Sequence, residues 1–334
     1  MTEPAYGALS LPQRRLYREL QRNVESFQSE YVFQNTTFEE IGKVFQAVLA
    51  DHPGYFWLSG SSAGTVRTMG NSTTVYFRPS FTGSASAAEL RREKAALDAK
   101  ADGLVALARR HSSVLYEQIV FLHDSLVRRT DYRMNAPHCY DAYGCLVLGK
   151  AVCAGYAAAF QLLMERLGVE CGRIHGRSAS ALTGETSHEW NYIRLPAGCC
   201  FIDVTWDDPV VSGGGASDNL SHAFFGLGLR ELRLTHQISP DQKLPSPICD
   251  NYDYYRYYGR YLERYSFEAV RTVAQRQLAR ERSFSVKFGT SAQTDAALRD
   301  LMDRQRVFEL PGVSGRLSYG VSKSGLVLEV RIKP

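Results

Sequence analysis

No stretch of this 334-residue chain approaches the ~18 consecutive apolar residues of a membrane-spanning helix. Residues 1–30 also lack the apolar run of a secretory signal; Leu11-Pro12-Gln13-Arg14-Arg15-Leu16-Tyr17-Arg18 is charged and amphipathic instead. A net charge of +4 is spread along the chain without blocks of one sign, so neither nucleic acid nor a membrane is expected as a partner. The 7 cysteines are an odd number, with Cys199 and Cys200 adjacent, and make a poor disulfide framework; a cytoplasmic protein is expected. There is no P-loop, dinucleotide fingerprint or EF-hand loop, and no cofactor is expected. His138, Cys139 and Cys145 lack the C-x-x-C pair or second ligand cluster of a zinc site, so no metal is expected either.

The length gives ample chain for a sizeable core and suggests about two or three domains. Residues 11–80 read as helix (Gln13–Ser29), strand (Tyr31–Phe33), helix (Thr37–Ala50) and two strands (Tyr55–Leu58, Thr73–Arg78). Residues 266–334 repeat that order: helix Phe267–Arg282, strand Phe284–Phe288, helix Thr294–Val307, then strands Arg316–Gly320 and Leu326–Ile332. Between the two flanks lie helices Ser84–Arg110 and Ser113–Arg129, followed by the segments that carry the chemistry. The run Ser212-Gly213-Gly214-Gly215-Ala216-Ser217 is flexible by composition. The tyrosine- and arginine-rich stretch Asn251–Tyr261 reads as rings packed onto a core with arginines turned to water.

Lys150-Ala151-Val152-Cys153-Ala154-Gly155-Tyr156 places a thiol at the start of a helix that runs to Leu167 and stops at Gly168. A thiol in a first helical turn feels partial positive charge and free N–H groups, which favour thiolate and can stabilise an oxyanion. Downstream, one strand carries His188 and the next Asp203, with Leu195-Pro196-Ala197-Gly198 as the turn between them. An antiparallel pair centred on that turn sets residue i opposite 393 − i. His188 and Asp203 then share a face on a diagonal within side-chain reach, while Glu189 and Asn191 point the other way. Thr205-Trp206-Asp207-Asp208-Pro209 reads as a polar turn closing the second strand. Gly60-Ser61-Ser62-Ala63-Gly64 satisfies the G-x-S-x-G pattern of serine hydrolases, but the β-branched Thr65–Gly70 is no helix start, and the pattern is set aside.

Taken together, Tyr140-Asp141-Ala142-Tyr143-Gly144, the Cys153 segment, Ser187-His188-Glu189-Trp190-Asn191 and Asp203-Val204-Thr205-Trp206-Asp207-Asp208-Pro209 make residues about 110–240 resemble a transglutaminase-like core of bacterial type. Glu189 departs from the alanine such cores often carry. The resemblance implies an α+β fold with a papain-like triad of Cys153 as nucleophile, His188 as base and Asp203 as orienter. Tyr140, Tyr143 and Trp190 become candidate oxyanion or substrate contacts, and Trp190 a roof over the imidazole. The expected division is 1–82 as an N-terminal α/β module, 83–248 as the catalytic core and 249–334 as a C-terminal α/β module. The implied activity is a cysteine protease or amidase acting on a protein or peptide substrate through a thioester. Protein-glutamine acyl transfer (cross-linking or deamidation) and a non-catalytic binding module are the alternatives. Hydrolysis is favoured because no second aromatic wall beyond Trp190 is visible for an amine tunnel, and Gly213–Gly215 looks too mobile to seal one.

Overall fold

The computed structural model describes residues 3–83, 85–180, 184–208, 220–311, 313 and 318–333. A short turn α1 (Pro4–Gly7) leads into α2 (Leu11–Glu25), β1 (Tyr31–Gln34), α3 (Phe38–Asp51), β2 (Leu58–Met69) and β3 (Ser72–Phe81). The three strands form an antiparallel sheet in the order β1-β3-β2. Asp51 closes α3 from inside: its carboxylate accepts from the Ala5 and Tyr6 amides and the Tyr17 hydroxyl, which ties α1 and α2 to α3. The strand expected at Tyr55–Leu58 instead begins at Leu58 and continues through Gly60–Gly64 to Met69. No helix follows the G-x-S-x-G pattern, so it is not a nucleophile elbow.

Next comes α4 (Ala87–His111), which opens on a capping box. Ser86 N donates to Glu89 Oε2 at 2.7 Å, and Glu89 N donates back to Ser86 Oγ. Helix α5 (Leu115–Val127), the two-residue strands β4 (Asp131–Tyr132) and β5 (Lys150–Ala151), and helix α6 (Cys153–Leu167) follow. Gly168 ends α6 in the left-handed conformation at φ 89°, as its position requires. Strands β6 (Glu170–Ser180), β7 (Gly184–Leu195), β8 (Gly198–Ile202) and β9 (Phe225–Leu227), helix α7 (Leu229–Leu232) and strand β10 (His236–Ile238) complete the middle of the chain. Its sheet has the order β10-β6-β7-β8-β9 and is antiparallel throughout, with α6 packed across it. β6 was not anticipated; Glu170-Cys171-Gly172-Arg173-Ile174-His175-Gly176 has two glycines and few β-branched residues. Both glycines have a use. A Cβ on Gly172 would strike the Tyr192 ring, and one on Gly176 would lie 2.1 Å from the Gln237 carbonyl of β10.

The last part contains α8 (Tyr254–Tyr257), β11 (Tyr261–Leu262), α9 (Phe267–Leu278), β12 (Ser283–Phe288), α10 (Ser291–Leu298), β13 (Ser318–Ser324) and β14 (Val327–Lys333). Helix α10 is shorter than its apolar spacing suggests. The chain widens to a π turn at Arg299–Asp303, then reaches Gln305 at φ 59° and a 3-10 turn at Arg306–Glu309. The sheet order is β11-β12-β14-β13. Leaving β11 aside, each flank pairs its first strand with its last and its last with its middle one, all antiparallel.

The two flanks differ in how they join the middle. Tyr17, Leu20, Phe45, Val48 and Trp57 share one continuous apolar core with Leu97, Leu104, Ile119, Phe160 and Leu163, so the N-terminal flank packs directly onto α4, α5 and α6. The C-terminal flank has its own core around Val270, Phe284, Phe288 and Leu328. A smaller cluster built on Trp190, Phe224, Leu227 and Tyr255, with Val327, connects it to the five-stranded sheet. The tyrosine-rich stretch supplies this joint. Tyr255 is buried, Tyr254 stacks on His222 at 3.7 Å, and Tyr257 stacks on Tyr116 at 4.1 Å. The chain is thus an α+β protein whose middle, helices packed on a five-stranded antiparallel sheet, lies between two α/β flanks.

Candidate functional site

Val152 is extended and its amide donates to the Cys139 carbonyl at 2.8 Å; Cys153 is then the first residue of α6 and is half-buried. First-turn N–H groups of a helix have no intrahelical acceptor, so the Cys153 amide is left free to meet an anion. The backbone around the thiol is held by close approaches that only glycine permits. A Cβ on Gly144 would lie 1.9 Å from the His138 carbonyl oxygen, and one on Gly155 would lie 2.5 Å from that of Cys139. Asp141 fastens the same loop, accepting from the Tyr143 and Gly144 amides at 2.9 and 3.1 Å, with His138 Nδ1 at 2.8 Å from its other oxygen. The motif from Tyr140 to Gly144 is therefore a backbone brace for the thiol.

His188 sits on β7 and Asp203 one residue past the end of β8. The pairing follows the rule read from the turn, with Leu195 opposite Gly198 and Asn191 opposite Ile202. There the ladder ends, and the Asp203 amide turns to the Phe224 carbonyl at 3.0 Å. His188 Nε2 lies 2.6 Å from Asp203 Oδ2, and both residues are buried. A carboxylate only accepts, so the proton is on Nε2 and Nδ1 is the nitrogen left for Cys153. Burial alone would push the His188 imidazole down. The Asp203 carboxylate outweighs it and, with the hydrogen bond to Cys153, lifts the ring to about 10. Burial likewise works to raise Asp203, but His188 and His236 hold it below the usual carboxylate range.

Around this pair the structure adds groups that the sequence did not single out. His236 Nε2 lies 3.0 Å from the same Oδ2 of Asp203, while the Thr205 and Trp206 amides donate to Oδ1 at 3.0 and 3.1 Å. Trp190 stacks on His188 at 5.9 Å and 23°, and Trp206, assigned from sequence to a polar turn, is a second ring at 6.0 Å. That second ring corrects the expectation of Trp190 as the lone aromatic wall. Tyr132, on β4, has Cys153, Tyr140 and Asp203 near it, and burial with those neighbours raises its phenol. Tyr140 is 68% exposed beside it. Tyr143 is placed elsewhere, stacked on Phe56 at 5.0 Å and edge-on to His138. Asn191 and Glu189 lie on the opposite face of β7: Asn191 Nδ2 donates to the Ala157 carbonyl of α6 at 3.0 Å, and Glu189 pairs with Arg173. The Gly213–Gly215 run lies outside the described residues.

Asp207 and Asp208 turn inward, against the expectation of a solvated turn. Asp208 accepts from the Tyr156 hydroxyl, and burial lifts its carboxyl to about 6. Asp207 is fully buried; its Oδ1 accepts from the Phe224 amide and its Oδ2 faces His123 Nε2 at 3.2 Å. The other nitrogen of His123 meets Asp124 Oδ1 at 3.0 Å, which His222 Nε2 also reaches at 2.8 Å. Among the described residues, His123–Asp124–His222 and His188–Asp203–His236 are the sets whose donor atoms lie close enough to hold a cation. In each set one carboxylate oxygen already faces both imidazoles at hydrogen-bond distance, which accounts for the atoms without an ion. Burial would lower His123, but its two carboxylates win and lift it to about 9. A group raised in the fold stabilises fully below its ordinary value near 6.5 and loses that contribution as pH rises through about 9. Thermal midpoints are therefore expected to fall between pH 7 and 10. The fall should be shallower in His123→Phe, with a remainder from His188; an equal fall in both proteins would refute the assignment.

Residues 103–204 match the family model described as the transglutaminase-like superfamily. No curated protein matches the chain. Among solved structures, a "TGase" aligns at 11% identity over 46% of this chain and 45% of its own, with a TM-score of 0.31. A provisionally assigned cysteine protease from Cytophaga hutchinsonii aligns at 11% identity over 53% of this chain and 64% of its own, TM-score 0.27. A provisionally assigned protease from Parabacteroides distasonis aligns at 8% identity over 81% of this chain and 61% of its own, TM-score 0.23. The chain thus spans less than two thirds of each of these proteins, and likenesses at such scores say nothing of its activity. On the family match over its middle third, this chain carries a transglutaminase-like core.

Proposed function

We propose that the chain is a cysteine protease or amidase of the transglutaminase-like type, with Cys153, His188 and Asp203 as its triad. The observation that carries this reading is the 2.6 Å contact of His188 with Asp203, which leaves the other imidazole nitrogen to a thiol at a helix N-terminus. His188 takes the Cys153 proton, and the thiolate sulfur attacks the carbonyl carbon of an amide. The carbonyl π pair moves onto oxygen, where the Cys153 amide can meet it. When that pair returns, the C–N bond breaks and His188 delivers its proton to the departing amine, leaving a thioester. Water then adds with His188 as base, the C–S bond breaks, and acid and thiol are released.

The substrate is a protein or peptide, presented across the exposed Tyr140 and the Tyr132 beside the thiol. The test is mass spectrometry of glutamine-containing peptides incubated with the protein, with and without a lysine analogue. Cleaved or deamidated product should dominate in both cases, and Cys153→Ala should reduce it at least about 1,000-fold. Mostly amine adduct would make the protein an acyltransferase with the same triad. Undiminished product from Cys153→Ala would end the reading.

A further inference from the structure

We propose that His236 is a positioning residue that sets how tightly Asp203 holds the His188 proton, an inference that rests on the acyl-transfer reading above. His236 lies beyond the family match, on the edge strand β10, yet reaches the centre of the site. Its Nε2 donates to Asp203 Oδ2 at 3.0 Å, the same oxygen that accepts from His188 at 2.6 Å. The Thr235 hydroxyl, 2.8 Å from Nδ1, fixes the ring from its other side. Trp190 and Trp206, each with its ring centre 4.8 Å away, wall the imidazole in.

A carboxylate oxygen has two lone pairs, and here both are occupied. Oδ1 is spent on the Thr205 and Trp206 amides, so Asp203 divides its charge among four donors. The share that reaches His188 is correspondingly smaller. Without His236, Oδ2 would serve His188 alone and bind its proton more tightly. A tighter Nε2–H bond stabilises the imidazolium, whose second proton, on Nδ1, must leave twice in each catalytic cycle if His188 is acid and then base, so an imidazolium held too firmly slows turnover. Among the described residues, the titratable groups facing His188 are Cys153, Asp203 and His236, and those facing His236 are Asp203 and His188. Among the described residues, the edge-strand histidine shares Oδ2 with His188 and so can soften the Asp203–His188 bond from the side away from Cys153.

The test is the titration of His188 in the full chain, followed by imidazole NMR, with His236→Gln and His236→Met as variants of similar length. Glutamine keeps an N–H for Oδ2, and methionine does not. His236→Met is expected to raise the His188 midpoint, and the alkaline limb of kcat/KM, by about half a pH unit or more. His236→Gln should restore both to near the wild-type values. A purely structural role would change thermal stability and leave the midpoint unmoved; equal midpoints in the two variants and wild type overturn the proposal. If either variant fails to fold, the wild-type nitrogen spectrum decides, because an unprotonated His236 Nε2 at neutral pH cannot donate and ends the idea. An inert Cys153 and no turnover in wild type would instead remove the acyl-transfer reading, with the His188 midpoint still deciding this one.

Discussion

Asp203→Asn is expected to lower kcat/KM on any acyl substrate about 10,000-fold while the fold survives. The size follows from what the new amide would face. The Thr205 and Trp206 N–H groups claim the Oδ1 position and need an acceptor there, so the asparagine carbonyl settles on them. Its NH2 then takes the place of Oδ2 and points at His188 Nε2, 2.6 Å away in the wild type. Two donors cannot face each other, so His188 must move its proton to Nδ1, the nitrogen needed to accept from Cys153. The base is still present but in the wrong tautomer. Circular dichroism should be unchanged, and iodoacetamide labelling of Cys153 should slow in parallel with turnover. Turnover within tenfold of wild type would show that Asp203 does not orient His188.

A second large effect is expected far from the thiol. Lys287 on β12 is fully buried, with its ammonium on Asp253, at the start of α8, and 2.7 Å from Glu231 of α7. One cation from the C-terminal sheet thus neutralises two carboxylates, Glu231 from the middle of the chain and Asp253 from the stretch that joins the middle to that sheet. Lys287→Met fills much the same space and removes the charge, which leaves Asp253 buried beside a second acid with no counterion. Breaking a buried pair from one side typically costs about 3–5 kcal/mol, and urea unfolding should show a loss of that order. Adding Asp253→Asn should recover part of it, because asparagine keeps the cap on the Arg256 amide without the charge. A Lys287→Met protein as stable as wild type would mean that the triad of charges does not hold the C-terminal flank in place.

Local chemistry was legible in the sequence wherever neighbouring residues decide the outcome. Gly168 stops α6 because the left-handed turn there favours glycine, and the Pro196-Ala197 turn fixes the β7–β8 register because an even loop leaves one pairing rule. Cys153 at a helix start and His188 on the same strand face as Trp190 follow from periodicity alone. His236, Trp206 and Tyr132 were not legible, because the contacts that matter to them are made across the sheet or between separated loops. Thr235-His236-Gln237 has no spacing that sets it apart from any other buried histidine. Asp207 and Asp208 misled for a related reason: a polar run before a proline looks solvated until partners such as His123, Tyr156 and the Phe224 amide, all distant in the chain, are in place. β6 was obscured by glycines whose purpose is to let Tyr192 and β10 come close.

The stacking of Tyr143 on Phe56 has a consequence for how such a chain can be inherited. Phe56 belongs to the segment between α3 and β2, and Tyr143 to the loop that braces the thiol. The N-terminal flank also shares its apolar core with α4, α5 and α6. A gene fusion or deletion that exchanged residues before α4 would strip the floor from beneath the Cys153 loop and open a wide apolar face to water. The C-terminal flank has a core of its own and meets the rest through a smaller apolar cluster and the Lys287 clasp, so its exchange would require little more than a new partner for Asp253 and Glu231. Recombination should therefore have shuffled the segments C-terminal to the five-stranded sheet far more freely than those N-terminal to it.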